Sequence, residues 1–352
     1  MGFFSRLSTK WKLIAGFLTV AVITAGVGGV GFWGVYRLAG SVHEIGEVRL
    51  PSVDSLRTIK GRAENIRGTM RTLSIPGLSI EMRQRQQDNL KAAREAYEAA
   101  WAVYEALPQT PEEAEVWQKF VPAWEAWRTE NNKFMELSKQ FDANGIGDPV
   151  DLDRRVEGFA KDHRALAESV LVMMQSKESF EGGEDHTTCN CGKWLPTFSS
   201  DNQAITKVIQ ECAEPHKHFH ESVKQIKGLV AEGDTEKAMD VYEREMAPSA
   251  KVVFEHFSQM LAVADQSVSL QTQAREQLLG PVTDTQRAAT ELLDQIIKIN
   301  QDVATEQVEA GKSLASTAEF LSLGGLVVGV VAALTFGLIL ASSIAKVLKN
   351  LI

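Results

Sequence analysis

LIAGFLTVAVITAGVGGVGFWGVY, residues 13–36, contains no charged side chain, and neither does FLSLGGLVVGVVAALTFGLILASSIA, residues 320–345. A helix rises about 1.5 Å per residue, so each run is long enough to cross a hydrocarbon core of about 30 Å. The two runs predict transmembrane helices near both ends of the chain. A secretory signal peptide is the alternative for the first run, but the apolar segment of such a peptide has only roughly 7–15 residues.

Basic side chains flank the outer end of each apolar run. Arg6, Lys10 and Lys12 precede the first run, and Lys346 and Lys349 follow the second. Neither group is accompanied by an acidic residue. Lysine and arginine accumulate on the cytoplasmic side of membrane helices. We therefore expect residues 1–12 and 346–352 in the cytoplasm and residues 37–319 in the periplasm or another extracytoplasmic space. This topology is that of a multi-pass protein of a bacterial inner membrane.

Small residues recur at four-residue spacing in both apolar runs. The positions are Ala21, Ala25 and Gly29 in the first run and Gly325 and Gly329 in the second. Such spacing lets membrane helices approach each other closely. It indicates association of these helices.

The part of the chain between the apolar runs is acidic. The whole chain has a net charge of −9, and its two basic ends contribute +5, which leaves −14 for residues 37–341. A surface of this sign lacks the basic face that nucleic-acid binding requires, and it attracts cations instead. Nucleic acid is therefore excluded as a partner.

An apolar seam with alternating steps of three and four residues precedes the second run, at Ala289, Leu292, Ile296, Ile299 and Val303. This period is typical of a helix packed in a bundle or coiled coil. Alternating β-branched patterns and hairpin turns are scarce. The fold class is therefore predicted as all-α, with two transmembrane helices flanking an extracytoplasmic pair of stacked helical bundles.

Proline and glycine divide the extracytoplasmic part into helices. The predicted breaks are Pro76-Gly77, Pro108 to Pro111, Asn144 to Pro149, Gly182-Gly183, Gly233 and Gly280-Pro281. A membrane-proximal bundle, residues 37–147 and 280–319, is predicted to contain helices over 38–75, 80–107, 111–143 and 283–319. Residues 148–279 are predicted to form a second module, inserted between the third and fourth helices of that bundle.

Aromatic residues recur at helical spacing in two helices of the predicted proximal bundle. One set is Tyr97, Trp101 and Tyr104, and the other is Trp117, Phe120, Trp124 and Trp127. Such a stripe is typical of a helical core. The alternative is a pocket for an aromatic or cationic small ligand, formed by Tyr97, Trp101, Trp117 and Trp124.

The second module contains three imidazoles and one thiol that suit a tetrahedral zinc ion: His163, Cys189, His216 and His220. His216 and His220 are four residues apart, so on a helix starting near Pro215 they share one face. His163 would come from the preceding long helix, and Cys189 from the link between the two. In that link Gly192 permits a tight turn and Trp194 anchors it in the core.

The spacing of these residues resembles the chemoreceptor zinc-binding family. His163 is followed by Leu166, and after 22 intervening residues comes the segment Cys189-Asn190-Cys191-Gly192-Lys193-Trp194. After another 21 intervening residues, His216 to His220 closes the motif. The resemblance implies that His163, Cys189, His216 and His220 bind zinc. Cys191 departs from the pattern, since it stands where the family has an aliphatic residue. The predicted extracytoplasmic position also differs, because members of the family are often cytoplasmic.

Other cysteines and histidines offer alternatives at this site. In an oxidising compartment Cys189 or Cys191 could form a disulfide with Cys212, and Cys191 and Cys212 are therefore candidate redox partners of the site. His186 and His218 flank the ligand set as alternative ligands. His218 is two residues from His216 and would face away on a helix.

An enzyme is not expected. The segment His216 to His220 lacks the glutamate of His-Glu-x-x-His zinc hydrolases, and four protein ligands leave no position open for water. Covalent haem attachment requires Cys-x-x-Cys-His, which Cys189 to Gly192 does not match.

The order of segments resembles the sensor half of methyl-accepting chemotaxis proteins. These have a short basic N-terminus, a transmembrane helix, a helical periplasmic domain and a second transmembrane helix. Residues 346–352 resemble the opening of a HAMP linker. The resemblance implies a homodimer and a cytoplasmic signalling domain, with kinase and adaptor coupling, that this chain does not contain.

The sequence thus predicts the ligand-sensing and transmembrane region of a bacterial chemotaxis receptor with a zinc site that senses metal, pH or oxidant. An oxidant would act on a Cys189 thiolate that zinc maintains. Two alternatives stay open. Zinc could be a structural staple in a small-molecule sensor, or the chain could be the sensor region of a histidine kinase or cyclase.

Overall fold

The structure is a computed structural model that describes residues 8–349. Ten α-helices are present in this range: α1 (Thr9–His43), α2 (Leu50–Leu73), α3 (Ile80–Ala106), α4 (Pro111–Ala143), α5 (Pro149–Ser176), α6 (Asn190–Trp194), α7 (Gln203–Ala231), α8 (Thr235–Val241), α9 (Ala247–Gln277) and α10 (Thr283–Lys349). The described residues contain no strand, so the all-α prediction is confirmed. Arg6 and residues 350–352 of the predicted cytoplasmic ends lie outside the described range.

Three single π-helical turns join consecutive helices, at Glu44–Arg49, Tyr242–Met246 and Leu278–Val282. The last of them contains Gly280 and Pro281, where a break was predicted, and that prediction is wrong. Proline lacks an N–H and its ring collides with the carbonyl four residues earlier, which disrupts an α-turn. The wider π turn carries the chain past this position, and the Thr283 hydroxyl donates to the Leu278 carbonyl at 2.8 Å. No non-helical residue therefore separates α9 from α10.

The start of α7 also differs from the prediction. The helix begins at Gln203 rather than near Pro215, which lies inside it. The Asn202 side chain caps the helix by accepting a hydrogen bond from the Ile205 N–H at 3.1 Å. The remaining predicted breaks coincide with non-helical segments. Gly77, Gly145, Gly182, Gly183 and Gly233 adopt positive φ there.

The chain divides into two compact units. Of the described residues, the first unit contains those up to Lys60, Tyr97–Lys119 and those from Leu292 onward. The second contains Gly61–Ala96 and Phe120–Glu291. These boundaries cut through helices α2, α3, α4 and α10, so the predicted division into a proximal bundle and an inserted module stays a prediction.

In the first unit the two apolar runs pack against each other in antiparallel register. Gly329 approaches Ile23, Gly325 approaches Val27 and Gly34 approaches Ala318. The predicted close approach therefore involves Gly325 and Gly329, whereas the Cα of Gly29 faces open space. Both helices are long and apolar enough to cross a membrane. Their outer faces expose large apolar side chains, such as Phe17, Phe32, Phe320 and Leu338.

A buried ionic network also lies in the first unit. The π turn Glu44–Arg49 buries Arg49, whose guanidinium donates to the Glu113 carboxylate at 2.7 Å and to Asn300 Oδ1 at 2.9 Å. Glu113 is fully buried and also accepts from Tyr104 Oη at 2.7 Å and from Asn300 Nδ2 at 2.6 Å. Each charge is compensated by several hydrogen bonds, which is what a buried ion pair requires.

The second unit has two apolar clusters that share helices α5 and α7. The first includes Val156, Phe159, Cys212 and Phe257. The second includes Val170, Met173, Phe219 and Val223. On both helices the residues between the two clusters include buried histidines. The candidate site therefore occupies core positions where the apolar side chains of α5 and α7 are interrupted.

Candidate metal centre

The four residues predicted as ligands meet at one point in the second unit. His163 lies on α5, Cys189 directly precedes α6, and His216 and His220 lie on α7. Their ligand atoms all lie within 4.8 Å of one another. Three separate segments of the chain thus contribute to one cluster.

Two distances within the cluster are close to those between the ligands of a tetrahedral ion. His163 Nε2 is 3.3 Å from His220 Nε2, and Cys189 Sγ is 3.2 Å from His216 Nε2. For zinc bonds of about 2.0–2.1 Å to nitrogen and about 2.3 Å to sulfur, the edges of a tetrahedron measure about 3.3–3.7 Å. The whole set extends over up to 4.8 Å, which is longer than such an edge, so the four ligand atoms would close slightly around an ion.

Backbone carbonyls orient two of the imidazoles. His163 Nδ1 lies 2.7 Å from the Phe159 carbonyl, and His220 Nδ1 lies 2.7 Å from the Gly183 carbonyl. A carbonyl can only accept, so each Nδ1 carries the hydrogen and each Nε2 offers its lone pair to the centre. Metal-binding histidines commonly have such a partner on the second nitrogen. The sequence could not predict Phe159 and Gly183 in this role, because any residue supplies a carbonyl.

Cys189 is positioned by the first turn of α6. As the N-cap residue, it accepts a hydrogen bond at Sγ from the Gly192 N–H at 3.1 Å. Gly192 was predicted to allow a tight turn, but the structure gives a different reason for glycine. Its φ is not positive, and a Cβ there would collide with the His186 carbonyl. Trp194 packs on Phe159 at 5.3 Å between ring centroids, as predicted for an anchor in the core.

Burial determines the protonation of the cluster. It lowers the pKa of His216 to about 3 and of His220 to about 4, with the neighbouring histidines adding to the effect on both. Burial also lowers the pKa of His163 and raises the pKa of the Cys189 thiol. At neutral pH the three imidazoles are therefore uncharged and ready to bind a metal. The thiol would release one proton on binding.

Cys191 and Cys212 are buried in the first apolar cluster, and all three cysteines are free thiols. Burial raises the pKa of Cys191 and raises that of Cys212 to about 12. Cys191 thus occupies its position as a small apolar side chain would. The disulfide and the role of Cys191 and Cys212 as redox partners stay predictions.

The two flanking histidines differ. His218 is half-exposed and faces Glu221 and Glu245, each at 4.0 Å, away from the cluster as predicted. His186 lies at the edge of the cluster, with its ring centroid 6.2 Å from that of His216.

The aromatic residues predicted as a ligand pocket are largely buried. Tyr97 and Trp117 are buried in the first unit, where Trp101 contacts Trp117 at 4.6 Å between centroids. Trp124 is buried in the second unit and contacts Trp127 at 4.5 Å. These contacts account for the stripe as helix packing. A role in ligand binding stays a prediction.

Comparison with known proteins agrees with this arrangement. Residues 6–148 match the family described as four helix bundle sensory module for signal transduction. Residues 163–227, which contain all four clustered side chains, match the family described as chemoreceptor zinc-binding domain. Searches of curated proteins and of solved structures gave no match. The matched family and the His/Cys cluster agree on zinc as the metal. The two matches support the identification of the chain as the sensor region of a chemotaxis receptor with a chemoreceptor zinc-binding module.

Proposed function

We propose that this chain is the ligand-sensing and transmembrane region of a bacterial chemotaxis receptor, and that His163, Cys189, His216 and His220 hold a zinc ion whose binding and release is the sensed event. The convergence of four ligand atoms within 4.8 Å carries the proposal. The carbonyl partners of His163 and His220 support it, because they leave both Nε2 atoms available to the metal.

The chain's own contacts suggest how the site would influence the rest of the second unit. When bound, zinc would join α5, the segment before α6 and α7 through four bonds. Helices α5 and α7 both pack against α9. Helix α9 continues without a break into α10, which contains the second apolar run. A change in the packing of α5 and α7 on α9 therefore acts on the helix that leads to the membrane.

The membrane topology is part of the proposal. Two helices of sufficient length and apolarity are present, and basic residues flank their outer ends. We infer that residues 37–319 are periplasmic and that the receptor acts as a homodimer coupled to a cytoplasmic signalling domain. The acidic charge of this region fits a sensor of cations.

Metal analysis of the purified full chain in detergent, under reducing conditions, tests the site. We expect about one zinc per chain in the wild type and a large loss in His216→Ala. His218→Ala is the matched control, because His218 lies on the same helix but faces solvent and should leave the zinc content unchanged. Absence of zinc from the reduced wild type would contradict the proposal.

A purely structural zinc is the second candidate function. It is favoured by the burial of the three histidines between two apolar clusters, where an ion would hold the helices together. Circular dichroism before and after chelation distinguishes the two. A sensor stays helical when zinc is removed, whereas a staple loses helical signal because the second unit melts.

A further inference from the structure

The His186 ring lies next to the metal cluster, although His186 is not one of the four predicted ligands. The centroids of the three clustered imidazoles are 4.8–5.3 Å apart, and two imidazoles on one tetrahedral zinc ion would be about 5 Å apart. The His186 ring is 6.2 Å from that of His216. Its distance from His216 is therefore about 1 Å longer than the spacing of two imidazoles on one ion.

The backbone holds His186 at this position. Its carbonyl lies against Gly192, where no Cβ could fit, and accepts from the Cys189 thiol at 3.4 Å. Asp185 stabilises the same turn, since its carboxylate accepts from the Thr187 N–H at 2.9 Å. The backbone therefore keeps His186 at the edge of the site, where its side chain is partly exposed.

The four ligands are not equally fixed. His163, His216 and His220 are each no more than 2% exposed and lie on long helices. Cys189 is only partly buried and lies three residues from His186 in the same short segment. The imidazoles form a rigid set of three, and the segment that faces their fourth position carries both a thiol and an imidazole.

We propose that His186 is an alternative ligand that can replace Cys189, so that the site holds zinc with one thiolate and three imidazoles or with four imidazoles. In the exchange the bond to Cys189 Sγ breaks, the released thiolate takes a proton from water, and a bond to a nitrogen of the neutral His186 imidazole forms, with no change of oxidation state. Replacing a thiolate by a neutral imidazole raises the charge of the site by one. The exposed residues Asp162 and Asp185 are the acidic neighbours of His163 and His186 in the sequence.

This inference rests on the proposed zinc site, and the experiment separates the two. Zinc affinity is measured by chelator competition on the full chain in detergent for the wild type, His186→Ala, Cys189→Ala, Cys189→Ala/His186→Ala and Cys189→Ala/His218→Ala. Cobalt(II) in place of zinc reports the ligands, because a thiolate ligand adds a charge-transfer band and a tetrahedral site absorbs in the visible region.

We expect Cys189→Ala to keep the tetrahedral cobalt spectrum without the thiolate band. The additional His186→Ala change should weaken zinc binding at least about tenfold and change the cobalt spectrum, because water then takes the fourth position beside three imidazoles. The additional His218→Ala change should do neither. Both double variants contain the Cys189→Ala change, so any effect of the lost helix cap cancels. Two outcomes would overturn the role of His186 while leaving the zinc site in place, provided that the wild type binds zinc. Either Cys189→Ala and Cys189→Ala/His186→Ala bind zinc with equal affinity, or neither of them binds it. No binding by any protein, wild type included, would overturn the zinc site as well.

Discussion

At the scale of single residues, Gly192 shows that a nearby backbone atom can explain why a motif position requires glycine. The sequence suggested a tight turn, but the structure gives the His186 carbonyl as the reason that no larger residue fits. A conformational role could be predicted from the residue type, while a steric role depends on which atom lies opposite. That atom belongs to a different turn of the chain and is fixed only by the fold.

Gly192→Ala is therefore expected to displace the segment that carries Cys189. Forcing an extra methyl into a packed site costs about 1–3 kcal/mol, and zinc affinity should fall as Cys189 Sγ moves. Denaturant unfolding and zinc competition measure the two effects.

Gly228→Ala is the matched control for this glycine. Gly228 lies in α7 with open space around it, so a Cβ there should leave zinc affinity unchanged and stabilise the helix by up to about 1 kcal/mol. If Gly192→Ala bound zinc as tightly as Gly228→Ala does, the close approach would not matter for the site.

The four ligands could be predicted because metal binding depends on the residue types and on their spacing in the sequence. His216 and His220 share a helix face whether α7 begins at Gln203 or near Pro215, so the error in the helix start did not affect the site. The spacing from His216 predicted that His218 faces away, but the position of His186 at the edge of the site could not be predicted, because it depends on how the turn before α6 is folded.

At the scale of elements, local proline and glycine rules predicted most helix ends but not the continuity of α9 and α10. A π turn absorbs Pro281, and two further π turns, Glu44–Arg49 and Tyr242–Met246, also join helices. Such turns insert an extra residue into the helical repeat, and no residue type predicts where they occur. The turn Glu44–Arg49 has a visible consequence, since it contains the arginine that enters the buried network.

Glu113→Gln tests the energetic importance of that network. The change removes the fully buried one of two carboxylates that pair with Arg49, the other being Glu44 at 2.8 Å, and breaking a buried ion pair costs up to about 3–5 kcal/mol. We expect a correspondingly lower free energy of unfolding in denaturant titrations of the full chain.

Glu115→Gln serves as the control on the same helix. Glu115 pairs with Lys119 at 2.8 Å on the exposed surface, where water screens the interaction, so the free energy of unfolding should hardly change. If the two substitutions lowered the free energy of unfolding equally, the charge of Glu113 would not contribute to stability through Arg49.

At the scale of the whole molecule, metal removal should affect the two units differently. The site lies within the second unit, so zinc stabilises that unit by about 4 kcal/mol when its concentration is a thousand times Kd. Hydrogen exchange after chelation should therefore increase in α5, α6 and α7. The buried network of the first unit contains no ligand, and exchange around Arg49 and Asn300 should stay unchanged. Faster exchange in both units alike would show that zinc stabilises the first unit as well as the second.

The register of the two apolar helices provides the last prediction. The approaches of Ile23 to Gly329 and of Val27 to Gly325 define one antiparallel register within the first unit. Sequence indicated small residues that allow such contact, but it could not select the partners, because Gly29 has the same spacing and a Cβ added there would meet no atom within 4 Å. A cysteine pair at Val27 and Gly325 should therefore form a disulfide under mild oxidation in membranes. The pair at Gly29 and Gly325 should not.

Mass spectrometry of the oxidised chains distinguishes a bond within one chain from one between two chains. The native cysteines are not expected to interfere, because Cys191 and Cys212 are buried and Cys189 lies in the other unit. A bond within one chain for the Val27 pair supports the register in the membrane. A bond between two chains would place these glycines at a dimer contact instead, and equal yields for both pairs would show that the register is not fixed.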